Sequence, residues 1–340
     1  MSKVTTERVW SDFIELQPRY RRSVHLERDI ADRQWLSGYV VTPLGRATIQ
    51  RIVDGILSPD GTRAWSLTGP YGSGKSAFAL FLSHALSPSS DRLRQVARRL
   101  VSEADDELAR RIFKPRGRTR PTVGLVPVLA TGQRQPLEGT LVNALAAACA
   151  NYWRGSARKP SILADIAAVQ RRIAEGKRVA TSAVVKLFEE TARKVAASSR
   201  PGNGLLVVLD EAGKALEFAA QHEGGGDIQI LQELAEAANR SADIPLVFVV
   251  VLHQAFDQYA DQLTQRQRNE WAKVQGRFAD IPFREEADQL LRLIGGAIKR
   301  KKQIPARCER GARRLCRTAA ERLRITTATD KSEIEKLLCR

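Results

Sequence analysis

The chain has 340 residues, of which 43% are hydrophobic and 27% are charged. This composition is typical of a globular protein with room for about two domains, and it excludes wholesale disorder and a low-complexity fibre. The 55 lysines and arginines outnumber the 38 aspartates and glutamates, and the net charge of +17 favours either a polyanionic partner or a basic, solvated surface.

The apolar runs and the cysteines exclude further kinds of protein. The longest apolar runs, 205–209 and 246–252, are far shorter than the about 18 residues that a membrane span needs. The start MSKVTTERVW lacks an apolar signal core, so we expect a cytoplasmic protein without membrane contact. The 4 cysteines form no C-x-x-C pair and the 4 histidines are scattered, so we expect neither disulfides nor structural zinc.

The chain divides into three parts along the sequence. Residues 1–56 are charged and carry helical spacing, and we interpret them as an N-terminal helical cap or docking segment. Residues 57–284 are expected to form the core. Only helical patterns remain in 285–340, which we interpret as a small helical lid that could continue beyond the last residue.

The core is predicted to alternate strands with helices. Strands are expected at 64–68, 122–130, 205–209 and 246–252. Helices are expected at 76–86, 137–153 and 228–239, with helical insertions near 91–120 and 159–199. Apolar strands separated by helices are typical of a parallel sheet that is covered on both faces. We therefore expect an α/β fold, a three-layer sandwich around a central parallel sheet.

A glycine-rich turn joins the first core strand to the first core helix. Its sequence GPYGSGKS at 69–76 satisfies the phosphate-loop pattern G-x-x-x-x-G-K-[ST], for which the alternative is a chance turn. Lys75 is expected to contact the β- and γ-phosphates during catalysis, and Ser76 is expected to ligate Mg²⁺. The residues expected to bind ATP are Gly69, Pro70, Tyr71, Gly72, Ser73, Gly74, Lys75, Ser76 and Ala77.

A second motif ends the apolar strand LLVVL with two acidic residues, Asp210 and Glu211. Parallel strands of such a sheet bring their carboxyl ends to one edge, so these carboxylates are expected beside the phosphate loop. Asp210 would hold Mg²⁺ through Ser76 and water, and Glu211 would act as the general base. The alternative is an acidic cap of the next helix.

Together the two motifs resemble Walker A and Walker B of the P-loop ATPases of the AAA+ type and of their relatives, the STAND ATPases. In that family a strand between the two motif strands ends in a polar residue that contacts the γ-phosphate. Here the resemblance implies His253 or Gln254. Gln254 is favoured as the amide analogue, because the family usually has Asn, Thr or Ser there.

The resemblance also implies two arginines. Arg277, before the segment FADIPF, is similar to the arginine finger that enters a neighbouring subunit's site, and the alternative is a surface arginine. Arg314 is similar to the second sensor arginine of the lid, with Arg313 as the neighbouring choice and a plain solvated helix face as the alternative.

The spacing of the motifs departs from compact AAA+ domains, because Lys75 and Asp210 are farther apart in sequence. The extra residues are those of the two helical insertions. Such elaboration resembles the origin-recognition and STAND branches, or the large ATPases of bacterial defence operons.

Two basic segments, 114–120 and 299–302, are dense enough to contact a DNA or RNA backbone. Aromatic residues do not alternate with their charges, so single-stranded base stacking is not expected. The alternative for each segment is a solvated loop or helix face.

These patterns favour an Mg²⁺-dependent ATPase whose nucleotide state controls assembly into a homo-oligomer or a larger DNA-linked or anti-phage complex. A nucleotide-gated scaffold with little turnover is a second hypothesis, although Glu211 argues against it. A P-loop kinase of small molecules is a third, and the separate strand that carries Asp210 and Glu211 argues against it.

Overall fold

The structure is a computed structural model that describes residues 13–17, 20–116, 120–121, 123–157, 159–221, 228–254, 265–301 and 306–322. It divides into two compact units. One unit comprises Met1–Ser23 and Glu285–Arg340, and the other comprises Val24–Arg284. Each unit is described by itself below.

The described strands are β1 (Ile14–Leu16), β2 (Ala64–Thr68), β3 (Pro115–Arg116), β4 (Arg120–Pro121), β5 (Leu125–Thr131), β6 (Gly204–Asp210), β7 (Leu246–Leu252), β8 (Ala279–Pro282) and β9 (Ile298–Arg300). The described helices are α1 (Leu26–Asp29), α2 (Arg33–Ser37), α3 (Pro43–Leu57), α4 (Lys75–Ala85), α5 (Arg94–Ala104), α6 (Asp106–Phe113), α7 (Leu137–Tyr152), α8 (Ile162–Ala174), α9 (Thr181–Ala197), α10 (Ala212–Gln221), α11 (Gln229–Asn239), α12 (Gln265–Gln275), α13 (Ala287–Ala297) and α14 (Ala306–Arg322). Among these residues no helix is both long enough and apolar enough to cross a membrane.

The larger unit is built on a five-stranded parallel sheet in the order β5-β6-β7-β2-β8. Every residue of β6 and β7 is buried, and their side chains alternate between two apolar layers. Helices α7, α8, α9 and α11 supply one layer, and α3, α4, α5 and α6 supply the other. The predicted three-layer P-loop NTPase fold is therefore confirmed, with β7 between β2 and β6.

Helices α1 to α3 belong to the same apolar layer as α4. Leu26 and Leu36 are fully buried there, and so are Ile49 and Ile52 of α3. Thr42 caps α3 by accepting a hydrogen bond from the Gly45 backbone at 3.0 Å. The compact unit thus begins at Val24, inside the segment that the sequence presents as a cap.

The amino-terminal edge of this sheet is joined to its surroundings by a buried arginine, Arg63, which directly precedes β2. Its guanidinium donates to the carbonyl oxygens of Gly55 (3.3 Å), Ile56 (3.4 Å) and Ser58 (3.1 Å) and to Ser241 Oγ (3.0 Å). Burial lowers the pKa of Arg63. These contacts fix the amino-terminal end of β2. The phosphate loop follows the carboxyl-terminal end of the same strand.

The described residues of the smaller unit form two helices and a two-stranded antiparallel sheet. Residues Ile14–Leu16 of β1 pair with Ile298–Arg300 of β9. The sequence predicted only helices in 285–340, but α13 ends at Ala297 and the strand β9 follows it. Gly295 and Gly296 explain the difference, because glycine is a poor helix former and two in succession weaken the last turn.

Candidate active site

The phosphate loop connects the carboxyl end of β2 to the first turn of α4. Gly72 and Gly74 have φ angles of +78° and +89°, which side chains other than glycine rarely adopt. A Cβ atom on either residue would meet nothing within 4 Å, so the backbone conformation and not packing requires glycine. Gly74 is also the N-cap of α4, and the first N–H groups of a helix have no hydrogen-bond partner within that helix. This geometry is that of an anion nest.

Lys75 lies inside the loop and is buried. Its Nζ donates to Gly69 O at 2.7 Å, to Pro70 O at 2.8 Å and to Ser73 Oγ at 3.2 Å. Burial lowers the pKa of Lys75, and the nearby Asp210 carboxylate opposes that shift. The loop therefore places the Lys75 ammonium where it would contact an anion that is bound in the nest.

Asp210 is the last residue of β6 and is 4% exposed. Burial raises the pKa of Asp210, while hydrogen bonds from the Ser76 side chain and from the Glu211 backbone lower it. The Glu211 N–H···Oδ1 distance is 2.8 Å. The structure thus brings the two motifs together through Ser76 and Asp210. A hydroxyl and a carboxylate are the oxygen ligands that Mg²⁺ accepts alongside phosphate and water, so these residues fit that ion.

Glu211 has an unusual backbone conformation, with φ at +51° in the left-handed region. The turn is packed against the end of β5, where Gly132 N donates to Asp210 O at 2.7 Å. The Glu211 carboxylate forms an ion pair with Lys214 in the first turn of α10. Lys214 was not identified from the sequence, although its spacing of three residues from Glu211 on a helix favours such a pair.

The residues that follow β7 lie at the same edge of the sheet. The His253 ring stacks on the Tyr71 ring of the phosphate loop, with centroids 4.6 Å apart and planes 18° apart. Burial lowers the pKa of His253. Gln254, the residue that the sequence favours, makes no hydrogen bond to the described part of the chain. The γ-phosphate contact of either residue remains a prediction.

Arg277 lies at the other edge of the sheet. Its backbone oxygen accepts a hydrogen bond from Asn239 Nδ2 at 3.1 Å, and Asn239 Oδ1 accepts from the backbone N–H groups of Arg63 and Ala64 at the start of β2. The Arg277 guanidinium pairs with Glu236 at 2.8 Å. The structure therefore does not bring Arg277 to the phosphate loop of its own chain, and action on a neighbouring subunit remains a prediction.

The other predicted contact residues are placed outside this site. Arg313 and Arg314 lie exposed on α14 in the smaller unit. Lys114 is exposed after α6, and β3 pairs with β4 in a short antiparallel ladder, whereas 117–119 lie outside the described residues. In the second basic segment, Lys299 is opposite Glu15 in the β1–β9 pair, and Lys302 is outside the described residues.

No protein-family model matches the chain, and no curated protein matches it. Among solved structures, the chain is similar to the ORC2 protein of Aeropyrum pernix, solved as ADPNP–ADP complexes, with 15% sequence identity and a TM-score of 0.38. The match covers 76% of this chain and 52% of that chain, so this chain spans about half the length of that structure.

Proposed function

We propose that this chain is an Mg²⁺-dependent ATPase of the AAA+ type. The observation that carries the proposal is that the Asp210 carboxylate lies close enough to interact with both the Ser76 side chain and the buried ammonium of Lys75. It joins two motifs that are far apart in sequence into one site, and a chance glycine turn or an acidic helix cap would not require that meeting. The strand order, with β7 between β2 and β6, agrees with the same reading.

The loop binds the triphosphate of ATP. The backbone N–H groups around Gly72 and Gly74 and the amino end of α4 offer partial positive charge to the phosphate oxygens. Lys75 exchanges its carbonyl partners in the loop for phosphate oxygens, because a full negative charge attracts an ammonium more strongly than a carbonyl dipole does.

Ser76 Oγ and Asp210 would hold Mg²⁺, which would supply positive charge to neutralise the charge that develops on the phosphates. Asp210 is required as a carboxylate for this role. Because burial raises its pKa, the hydrogen bonds from Ser76 and the Glu211 backbone keep the charged form accessible.

Glu211 acts as the general base. A water oxygen forms a bond to the γ-phosphorus while the bond from that phosphorus to the β,γ-bridging oxygen breaks, and ADP leaves with the bridging oxygen. The proton of the water goes to a Glu211 carboxylate oxygen. Glu211 must exchange its ion pair with Lys214 for contact with that water.

The proposal also includes assembly with neighbouring subunits and the binding of a polyanionic partner. Arg277 completes the site of a neighbouring subunit, which is supported by its place at the edge opposite its own loop and by its half-exposed side chain. The net charge of +17 and the basic segments support a DNA or RNA backbone as partner, in a DNA-linked or anti-phage complex.

A nucleotide-gated scaffold with little turnover is the second candidate. One observation favours it: the Glu211 carboxylate is engaged by Lys214 and is therefore not free to take a proton. Steady-state turnover measured with ATP and Mg²⁺ separates the two candidates.

The binding step is tested with Lys75→Ala, compared with Lys186→Ala on the exposed face of α9 as a matched lysine control. We expect calorimetry with ATP and Mg²⁺ to detect no binding by Lys75→Ala and wild-type binding by Lys186→Ala, with both variants folded by circular dichroism. Wild-type affinity in Lys75→Ala would contradict the assignment of the loop. Turnover measured with and without duplex DNA then tests the DNA partner, and the mass measured by light scattering tests assembly.

A further inference from the structure

An aromatic pair joins the phosphate loop to the loop after β7. Thr68 and Leu252, the last residues of the neighbouring strands β2 and β7, are partners in the parallel register. Tyr71 follows β2 by three residues, and His253 follows β7 directly, so the sheet brings both residues to the same edge. Their rings stack nearly parallel, at 4.6 Å and 18°. This contact comes from two loops of separate strands and is not a by-product of one helix.

The exposure of Tyr71 is unusual for a tyrosine that contributes to packing. It is 76% exposed, whereas the loop lysine four residues later is 7% exposed. Tyr71 therefore adds almost nothing to the apolar core, and its ring contact is with His253 alone among the described residues. A contact of this kind restricts the partner ring more than it stabilises the fold.

Charged groups of α4, of α10 and of the turn after β6 act on His253. Burial is the main cause that lowers its pKa, Glu217 of α10 raises it, Lys75 of α4 lowers it, and Glu211 raises it. Glu217 is itself paired with Arg134 at 3.4 Å. In either protonation state the imidazole has at least one N–H group that can donate to a phosphate oxygen.

We propose that Tyr71 is a positioning residue that holds the His253 ring beside the phosphate loop, so that His253, and not Gln254, contacts the terminal phosphate of bound ATP. The inference rests on the proposed function. It follows from the shared edge of β2 and β7 and from the stack of the two rings. Gln254 lies one residue farther along the chain and has no such contact in the described residues.

Two sets of variants of the full chain test this role. Tyr71→Ala removes the stacking ring, and Tyr71→Phe keeps it without the hydroxyl. His253→Ala and Gln254→Ala remove the two candidate contact residues in turn. Affinity is measured by calorimetry with Mg²⁺ and a non-hydrolysable ATP analogue, and again with ADP, which lacks the terminal phosphate.

We expect Tyr71→Ala to weaken analogue binding by about 3- to 10-fold, the range of aromatic-pair energies converted to affinity. ADP binding should change less than about twofold, because the affected contact is with the terminal phosphate. Tyr71→Phe should bind as wild type does. His253→Ala should lose at least as much as Tyr71→Ala, and the double variant should lose no more than His253→Ala, since Tyr71 acts through His253.

A second readout needs no nucleotide. The imidazole signal of His253 in the NMR spectrum should be shifted by the Tyr71 ring current, should move in Tyr71→Ala and should stay in Tyr71→Phe. If wild type binds neither nucleotide while this signal behaves as expected, the proposed function fails and the stack stands. Equal losses for the analogue and ADP, a loss confined to Gln254→Ala, additive losses in the double variant, or an unmoved imidazole signal would each overturn the proposal.

Discussion

The two edges of the central sheet are held together in different ways. At the amino-terminal edge, the buried Arg63 and the amide of Asn239 bond to groups that are distant in sequence, including Ser241 and Arg277. At the carboxyl-terminal edge, the Lys75 ammonium bonds to its own loop and the Asp210 carboxylate accepts from the next backbone N–H, while the long-range bond from Gly132 N to Asp210 O joins main-chain groups. Long-range bonds stabilise the fold, whereas local ones can be exchanged for a ligand at little cost to it.

The backbone agrees with this division. The carboxyl-terminal edge contains the left-handed φ angle of Glu211, and in residues other than glycine such conformations concentrate at binding and catalytic sites. Substitutions at this edge should therefore change binding or turnover. Substitutions at the amino-terminal edge should change the free energy of unfolding, with Arg277 as the exception that the proposed assembly requires.

The largest expected effect tests that exception. We expect the ATPase activity per subunit to rise with protein concentration, and Arg277→Ala to abolish the rise, because a finger guanidinium can contribute about 10³-fold or more in rate. Arg240→Ala is the matched control, since Arg240 shares the Glu236 carboxylate at 3.7 Å. Turnover is measured over a range of concentrations. A rate that is independent of concentration and unchanged in Arg277→Ala would leave a monomeric ATPase.

At the opposite edge, Glu211→Gln should keep ATP and Mg²⁺ bound but slow hydrolysis by about 10²-fold or more, since the amide cannot accept the proton. Single-turnover assays and calorimetry on the same sample separate chemistry from binding. Glu190→Gln on the exposed face of α9 is the control for the loss of one surface charge. Equal turnover in mutant and wild type would make Glu211 a helix cap and would favour the scaffold.

A stability test addresses the amino-terminal edge directly. Arg63→Met keeps most of the apolar length but removes every guanidinium hydrogen bond, and we expect a loss of about 3 kcal/mol in the free energy of unfolding. Urea unfolding measures it. Arg98→Met, at an exposed position of α5, should change stability by less than about 0.5 kcal/mol. Unchanged stability in Arg63→Met would mean that the two edges do not differ as described.

The smallest effect concerns the carboxylate of Asp91, which follows the end of α4. Burial raises the pKa of Asp91, but hydrogen bonds from His84 and from the Leu93 backbone outweigh it and leave the pKa below its usual value. The Asp91 carboxylate therefore stabilises the folded protein at pH values above its unfolded pKa of about 3.9. This contribution to the free energy of unfolding is lost as the pH falls through the lower pKa that Asp91 has in the folded protein.

Asp91→Asn should cost about 1 kcal/mol at pH 7 and should flatten the fall in stability below about pH 4. Unfolding by urea between about pH 3 and pH 7 measures both quantities. Asp165→Asn, at an exposed position of α8, is the control. A wild-type slope in Asp91→Asn would contradict the assigned interaction.

The sequence predicted the sheet and the two motifs because each depends on local pattern. The apolar strands β6 and β7 and the loop 69–76 are recognisable within a few residues. Side-chain pairs between loops are not, because they depend on the register of separate strands. The Tyr71–His253 stack depends on the register in which Thr68 of β2 pairs with Leu252 of β7, and the spacing of residues in the sequence does not predict that register.

The same reasoning explains one strand that the sequence misplaced and one residue that it missed. β9 is a strand only because β1 pairs with it, and the pattern around Ile298 alone favours a helix. Lys214 follows Glu211 by three residues, a spacing at which charged side chains of a helix often pair. Its ion pair with Glu211 also depends on the left-handed turn at Glu211, which the spacing does not predict. In each case a contact with a residue elsewhere in the fold determines the structure, and local sequence preference does not.

The β1–β9 pair has a consequence for the order of events during synthesis. The Gln17 side chain donates to Gly296 O across 279 residues of sequence, and all of the larger unit lies between the two partners. A ribosome delivers the amino-terminal strand first, at about 5–20 residues per second, so β1 is made well before β9 exists. Val24–Arg284 is free to fold during that interval, and the smaller unit is completed only after translation has passed Arg300.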